Sequence, residues 1–393
     1  MSASPPPPPL RAAVVGLGLA GRFFHVPHLA ANPNYEVTVL CQRAPVADAD
    51  LAALAPRARV VHSVEEVIAA ADVDVVVVAS PDATHFDFAS RALAAGKHVL
   101  VDKPFAQSLA QAAALLAQAA RAGRACMPYQ NRRHCADFAT VAALLAGGRL
   151  GELVEYTAHY DRFRPAVRSI WKELDRGALD NLGPHVVDQA VLLFGEPERV
   201  WADVRALRDG SPQDDFFELH LFYAAARAGR LPGLVAPPRS KAVLRSTMLA
   251  AANDLKFVIH GLAGSFVKSG LDGQEAALCA GGPVAPPADG GALWEEPEAF
   301  FGMLTTAAGA VEAVPSLRGV SYSAMYDAFA ASCRAPAPLA AQEVGPAQAL
   351  LTMRVIETAR LSAASGRVEP LVAVPAGAEG EGGGGGGGGG GAR

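Results

Sequence analysis

The sequence predicts an α/β plus α+β protein: a parallel sheet wound with helices in the N-terminal part and an antiparallel sheet in the C-terminal part. Three observations lead there. Between Arg11 and Tyr129 short apolar runs alternate with helical periodicity, the pattern of βαβ units. From about Leu153 onward strand-like runs follow one another with few helices between them, which favours antiparallel pairing. The chain has 393 residues, more than one ordinary core organises, so two domains are expected.

Each element has a local reason. Residues 1–10 contain a proline tract, expected as an extended solvated arm. Ala13-Val14-Val15 is an apolar strand that runs into Gly16-Leu17-Gly18-Leu19-Ala20-Gly21, and helical periodicity follows from Arg22 to Ala31. Val37 to Leu40 reads as the second strand. Val73 to Ala79 is a buried strand ending in the turn Ser80-Pro81-Asp82. Phe86 to Ala95 reads as a helix stopped by Gly96, and His98 to Val101 as a strand entering Asp102-Lys103-Pro104. A helix is expected over Leu109 to Ala122, stopped by Gly123, then a strand over Ala125 to Tyr129. This part, 11–130, forms the first expected domain. In the second, 131–368, a helix over Asp137 to Leu145 precedes strands at Leu153–Tyr160, Arg199–Arg205, Phe216–Phe222, Ala242–Met248 and Lys256–Gly261. A helix from Pro346 to Ser365 begins on proline and stops at Gly366. Residues 369–393 include ten consecutive glycines, Gly382 to Gly391, and are expected to be a disordered tail.

Composition excludes several functions. Apolar residues make up 51 % and charged ones 19 %, suiting a soluble folded chain. A net charge of −5 without a dense Lys/Arg block argues against nucleic acid or an anionic membrane as partner. No apolar run reaches the ~18 to 20 residues of a membrane helix. The first residues lack the layout of a secretion signal, and with a strand beginning near Arg11 no transit peptide is expected. Five scattered cysteines form no Cys-x-x-Cys, so neither a metal site nor disulfides are expected. Reduced thiols in a cytoplasmic protein follow.

The chemistry-bearing motifs begin with Gly16-x-Gly18-x-x-Gly21 between a strand and a helix, the layout a dinucleotide pyrophosphate requires. Gly16 makes the tight turn, Gly18 admits the phosphates, and Gly21 lets helix and strand pack closely. An acidic residue ~20 positions further on binds the ribose 2′-hydroxyl of NAD. Here that region reads Leu40-Cys41-Gln42-Arg43, with no carboxylate, and Arg43 suits a 2′-phosphate. NADP is therefore expected, with NAD the alternative and an ordinary loop role for Arg43 left open. Lys103 follows a parallel strand, where it either reaches the ligand crevice and stabilises a substrate oxygen or stays a surface lysine before a turn. His185 follows Gly183-Pro184, a helix start, where the helix dipole and nearby Lys103 would keep its imidazole neutral for general-base work. A hydrogen-bonded structural histidine is the other reading. Asp188 and Gln189 share its helix face.

Together, the glycine loop, Ser80-Pro81-x-x-x-His85, Asp102-Lys103-Pro104 and Gly183-Pro184-His185-x-x-Asp188 closely resemble the Gfo/Idh/MocA oxidoreductases. Tyr129-Gln130-Asn131-Arg132-Arg133, Phe163-Arg164-Pro165, Leu182 to Gln189 and Gly270-Leu271-Asp272-x-Gln274-Glu275 resemble that family's scyllo-inositol dehydrogenase (NADP)-like branch. The likeness spans about Arg11 to Arg367. It implies a Rossmann domain followed by a domain with a large open antiparallel sheet, and a homodimer or homotetramer. It further implies hydride transfer between a nicotinamide and a CH–OH carbon of a sugar, cyclitol or related polyol. The implied catalytic residues are Lys103 and His185, with Asn181 positioning them. The implied cofactor site comprises Gly16, Leu17, Gly18, Gly21, Arg22, Phe23, Arg43, Ser80, Pro81, His85, Asp102, Lys103 and Gln130. On the substrate side, Arg168 and Trp171 lie between the two motifs, and Asp188 joins them; core packing is the other reading of Trp171. One position departs from the family: an aspartate is usual four residues before the histidine, and this chain has Asn181, with Asp180 before it. Asparagine keeps an acceptor oxygen but not the charge. That departure leaves a nucleotide-binding sensor with weakened catalysis as the rival to an enzyme.

Overall fold

Six parallel strands build the first sheet, β1 (Leu10–Val15), β2 (Tyr35–Cys41), β3 (Arg59–Val61), β4 (Val75–Val78), β5 (His98–Val101) and β6 (Cys126–Pro128). Their order is β3-β2-β1-β4-β5-β6, the doubly wound arrangement whose direction reverses between β1 and β4. The computed structural model describes residues 6–45, 54–167, 175–224, 231, 233–289 and 291–375. All four valines of β4 are fully buried, as a strand covered by helices on both faces requires. The covering helices are α1 (Val26–Ala31), α2 (Val64–Ala69), α3 (His85–Ala94) and α4 (Leu109–Ala122). Ser63 and Glu66 form a reciprocal capping box on α2. Ser108 caps α4, and Gly123 ends it in the left-handed conformation at φ +62°.

The second sheet has nine strands: β7 (Leu153–His159), β8 (Arg199–Arg205), β9 (Phe216–Phe222), β10 (Lys241–Thr247), β11 (Leu255–Gly261), β12 (Gly264–Ser269), β13 (Gly302–Thr306), β14 (Val311–Val314) and β15 (Glu369–Pro370). The order is β14-β13-β12-β11-β7-β10-β9-β8-β15. It is mostly antiparallel, but β7 and β10 pair in parallel, so the sheet is mixed. The cause is topological: β8, β9 and β10 form an up-down meander whose third strand closes on β7 in the same direction. The remaining helices among the described residues are α5 (Ala136–Ala146), α6 (Ala178–Asn181), α7 (Gly183–Phe194), α8 (Gln274–Cys279), α9 (Ser323–Arg334) and α10 (Pro346–Ser365).

Three elements cross the expected domain limits. Helix α9 lies beyond residue 131, yet Met325, Tyr326, Phe329 and Ala330 are buried in the core of the first sheet. Helix α10 serves both cores, Ala349 and Met353 facing one and Leu351, Val355, Ile356 and Ala359 the other. Its Glu357 also accepts a hydrogen bond from the Leu109 amide at the start of α4, 2.6 Å away. Residues 369–372, expected within the tail, pack on the fold. Glu369 and Pro370 add an edge strand to β8, and Leu371 packs on the second core, because residues 369–372 still carry apolar side chains and free backbone groups. Four cysteines are buried, Cys279 is exposed, and none is bonded to another.

Candidate active site

The glycine turn follows β1 and the Ser80 turn follows β4, so both stand where the sheet order reverses. Ligands of open parallel sheets bind at that point, outside the carboxyl ends of the strands. Gly16 has φ +99°, and a Cβ there would meet the Ala79 carbonyl oxygen at 2.6 Å. At Gly21 a Cβ would overlap the Gly16 carbonyl oxygen. At Gly18 it would meet nothing within 4 Å. Two glycines therefore answer to packing inside the protein, and the third leaves an open approach to backbone.

A cleft of about 630 Å³ opens above these turns, within the size range of cofactor sites. Gly16, Gly18, Arg43, Ser80, Pro81, His85, Asp102, Lys103 and Asn181 line it. Leu17, Gly21, Arg22, Phe23, Gln130, His185 and Asp188 are not among its lining residues. Several of these act from behind. The Leu17 amide donates to Gln42 Oε1 at 3.0 Å, and Arg22 Nε donates to the Leu17 carbonyl at 3.2 Å. Gln130 is buried, its Oε1 without a hydrogen-bond partner. On the β2–β3 side, Arg43 is exposed and makes no ion pair with any described residue; His62, Ser63 and Arg91 line the cleft beside it. An open glycine turn with a free guanidinium at the adjacent strand end fits a dinucleotide. Gly16 and Gly18 would hold its pyrophosphate, and Arg43 would hold the adenosine-ribose end.

On the β4–β5 side the loops are tied together. His85, fully buried, places one ring nitrogen 2.8 Å from the Pro104 carbonyl oxygen and the other 2.9 Å from that of Ser80. This joins the Ser80 turn to the segment carrying Lys103. Lys103 Nζ donates to Asn181 Oδ1 at 2.6 Å and to the Asn181 carbonyl at 2.8 Å. A lysine from the first sheet thus meets the end of α6, one turn before His185.

His185 lies in the first turn of α7, buried, with its Nδ1 lacking a hydrogen-bond partner. Its ring stacks on Tyr160 at a centroid distance of 6.0 Å. Burial, then the positive charges of Lys103, Arg132, Lys256 and Arg162, push its pKa well below the ordinary 6.5. The imidazole is therefore neutral at pH 7. The sequence argument reaches the same direction through the helix dipole and Lys103, whereas burial is the largest cause.

Asp188, expected on the substrate side, does not line the cleft. Its carboxylate is buried in a bidentate pair with Arg133, both contacts 2.7 Å, and Arg133 also reaches the Glu343 carbonyl and Gln348. At i+3 from His185 it shares that helix face but is buried, held by the Arg133 guanidinium. Arg168 and Trp171 lie outside the described residues.

Sequence reasoning missed Asp82, Arg176 and Asp180, which also line the cleft. Arg176 Nε reaches Asp82 Oδ2 at 2.6 Å and its Nη1 reaches Asp180 at 3.5 Å, while Arg360 also pairs with Asp180. This joins the Ser80 turn to α6 by charge. Arg176 and Asp180 stand at i and i+4, a spacing that could have marked their pair, whereas Asp82 and Arg360 come from distant segments.

The fold and this cleft define a nucleotide-binding oxidoreductase with a Rossmann first domain. Residues 10–130 match the oxidoreductase family with an NAD-binding Rossmann fold, and residues 138–267 match the GFO/IDH/MocA C-terminal domain. The chain belongs to the Gfo/Idh/MocA oxidoreductase family. It is 35 % identical over 357 residues to the uncharacterised oxidoreductase YdgJ of Escherichia coli, covering 88 % of this chain and 94 % of the relative. It is 33 % identical over 367 residues to IolW of Bacillus subtilis, named scyllo-inositol 2-dehydrogenase (NADP(+)), covering 91 % and 95 % respectively. Among solved structures it is similar to the oxidoreductase yvaA of Bacillus subtilis, with a TM-score of 0.82 at 31 % identity, covering 93 % of this chain and 99 % of the other. No described helix is long and apolar enough to cross a membrane.

Proposed function

We propose that this oxidoreductase uses NADP(H) and transfers hydride between the nicotinamide and a CH–OH carbon of a cyclitol, sugar or related small polyol. The observation that carries this reading is the junction of Lys103 Nζ with Asn181 at the wall of the cleft, within one helical turn of a neutral, buried His185. The activity for which IolW is named supports the substrate class, and Arg43 after β2, with no carboxylate in Leu40-Cys41-Gln42-Arg43, supports NADP over NAD.

In oxidation the neutral imidazole of His185 takes the hydroxyl proton of the substrate. The Lys103 ammonium donates a hydrogen bond to the same oxygen and stabilises its developing negative charge. Asn181 Oδ1 fixes where that ammonium sits. The nicotinamide, when bound, supplies the hydride acceptor. In reduction the protonated histidine returns the proton to the oxygen. The second sheet, whose β9 alternates buried and half-buried residues, supports a homodimer or homotetramer, and unpaired cysteines support a cytoplasmic setting.

One observation favours a second reading: Asn181 carries no charge to stabilise a protonated His185, as expected of a sensor that retains binding but has weakened catalysis. Incubation with NADP and a panel of inositols and aldoses, followed by absorbance of the reduced cofactor, separates the two. Turnover lost in Lys103→Ala and in His185→Ala is the expected result. Tight NADP binding without turnover on any panel member would favour the sensor.

A further inference from the structure

Glu275 belongs to a motif, Gly270-Leu271-Asp272-x-Gln274-Glu275, that the proposed reaction leaves without a role. We propose that Glu275 is a substrate-binding residue whose carboxylate accepts a hydrogen bond from a hydroxyl neighbouring the reacting carbinol of a small polyol; this rests on the hydride-transfer reading above.

Position is the first argument. Helix α8 belongs to the second domain, yet it packs against Gly21–His25, the turn that immediately follows the glycine loop. Glu275 stands in the first turn of α8, so a carboxylate from the second domain is carried to the dinucleotide side of the molecule.

Fixation is the second. Glu275 Oε2 pairs with Arg132 Nη2. Arg132 is itself held by Tyr322, its Nη1 donating to the phenol oxygen at 2.8 Å, while its carbonyl accepts from Gln189 at 2.9 Å. The Arg132 and Arg162 guanidinium carbons stand 5.9 Å and 5.5 Å from the centre of the Tyr160 ring, the ring on which His185 stacks. One phenol thus gathers the proposed base and the cations around Glu275.

Openness is the third. The Arg132 side chain is 10 % exposed, but that of Glu275 is 39 % exposed, and among described residues Oε1 accepts nothing. A carboxylate serving only as the partner of a buried arginine has no need of an open second oxygen. Burial pushes the Glu275 carboxyl up, but Arg132, Arg162 and Lys103 outweigh it and hold it below the usual carboxylate range. It is therefore a permanent anion beside guanidinium donors. A hydroxyl both donates and accepts, so it satisfies such a pair, the carboxylate taking its proton and Arg162 meeting its lone pair. A substrate bearing an acid at that point would meet like charge.

The test measures steady-state kinetics and direct binding for the wild type, Glu275→Gln and Glu275→Asp, using scyllo-inositol and the deoxy analogue lacking the hydroxyl next to the reacting carbon. Glutamine keeps an acceptor for Arg132, and thermal unfolding checks that the fold survives. The expected result is a KM for scyllo-inositol raised about 10- to 100-fold in Glu275→Gln, by more than kcat falls, with Glu275→Asp intermediate. The affinity for NADP stays at the wild-type value. The deoxy analogue suffers a similar loss in the wild type and little further loss in the variant, a non-additivity that a structural role would not produce. Equal KM in both proteins, or fully independent losses, overturns the proposal. Titration of scyllo-inositol into the protein–NADP complex separates the two claims. Binding weakened by Glu275→Gln without wild-type turnover upholds Glu275 and overturns hydride transfer; neither binding nor turnover overturns both.

Discussion

The three glycines of the nucleotide turn are chemically identical, yet they should fail in different ways. At Gly18 an added methyl meets no protein atom within 4 Å, and the backbone there is not in the left-handed region. Alanine should therefore fold at least as well, with a gain of about 0.4–1 kcal/mol from the restricted unfolded chain. The methyl nevertheless fills the approach to the loop amides. Losing one charge-assisted hydrogen bond to a phosphate costs about 1.5–3 kcal/mol, so NADP affinity should fall about 10- to 150-fold. At Gly21 the methyl overlaps the Gly16 carbonyl oxygen, and backbone must move at a cost of about 1–3 kcal/mol. Gly16→Ala adds strain from φ +99° to its contact with Ala79. Urea unfolding without ligand, paired with fluorescence titration of NADPH, gives both numbers for each variant. Wild-type NADPH affinity in Gly18→Ala, or Gly18→Ala as unstable as Gly21→Ala, would refute the reasoning.

Acid should destabilise the protein early. Burial pushes His25, His28 and His98 down to about 4 from an ordinary 6.5, so below pH 6.5 the unfolded chain takes up protons that the folded one refuses. Each contributes a loss of up to roughly 3 kcal/mol as pH falls toward 4. Urea midpoints from pH 7 to 4.5 should drop, less steeply in His28→Gln, and a flat profile would contradict this. Asp188→Ala leaves Arg133 buried and unpaired and should cost about 3–5 kcal/mol, read as a lower unfolding temperature; an unchanged one would show the pair to be dispensable. Arg43→Ala should weaken NADP far more than NAD, and equal losses in titrations of the two would remove the 2′-phosphate role. Asn181→Asp should raise the pKa of His185 and move the pH–rate profile to higher pH, whereas an unmoved profile would detach this position from proton transfer.

Local signals in the chain carried much of this structure. The helix at Leu109–Ala122 and the strands at His98–Val101, Arg199–Arg205 and Phe216–Phe222 coincide with the sequence reading to the residue; Gly123 stops the helix, and Phe216–Phe222 alternates buried and half-buried residues. The capping box Ser63-x-x-Glu66 was equally readable and marks α2, a helix the periodicity argument passes over because it has only six residues. Short strands such as β12 and β13 escape for a different reason. They begin at Gly264 and Gly302 and are only six and five residues long, and both glycines are needed because a Cβ would meet Thr305 or the Phe266 ring. The junction of Lys103 with Asn181 joins motifs 78 residues apart, and order along the chain could suggest it only through likeness to a family. The Asp82–Arg176 contact and the capture of Asp188 by Arg133 depend on which distant cation arrives, which no spacing encodes.

The central claim is that hydride moves between the nicotinamide and a carbinol carbon held by Lys103 and His185. Its most direct test is a reaction run with NADPH deuterated at the transferable C4 position and the ketone form of an inositol, with the product analysed by mass spectrometry and proton NMR. The account predicts one deuterium on the new carbinol carbon, formed by the wild type and absent with Lys103→Ala or His185→Ala although both still bind NADPH. Product lacking the label, or labelled product formed at wild-type rate by both variants, would contradict it.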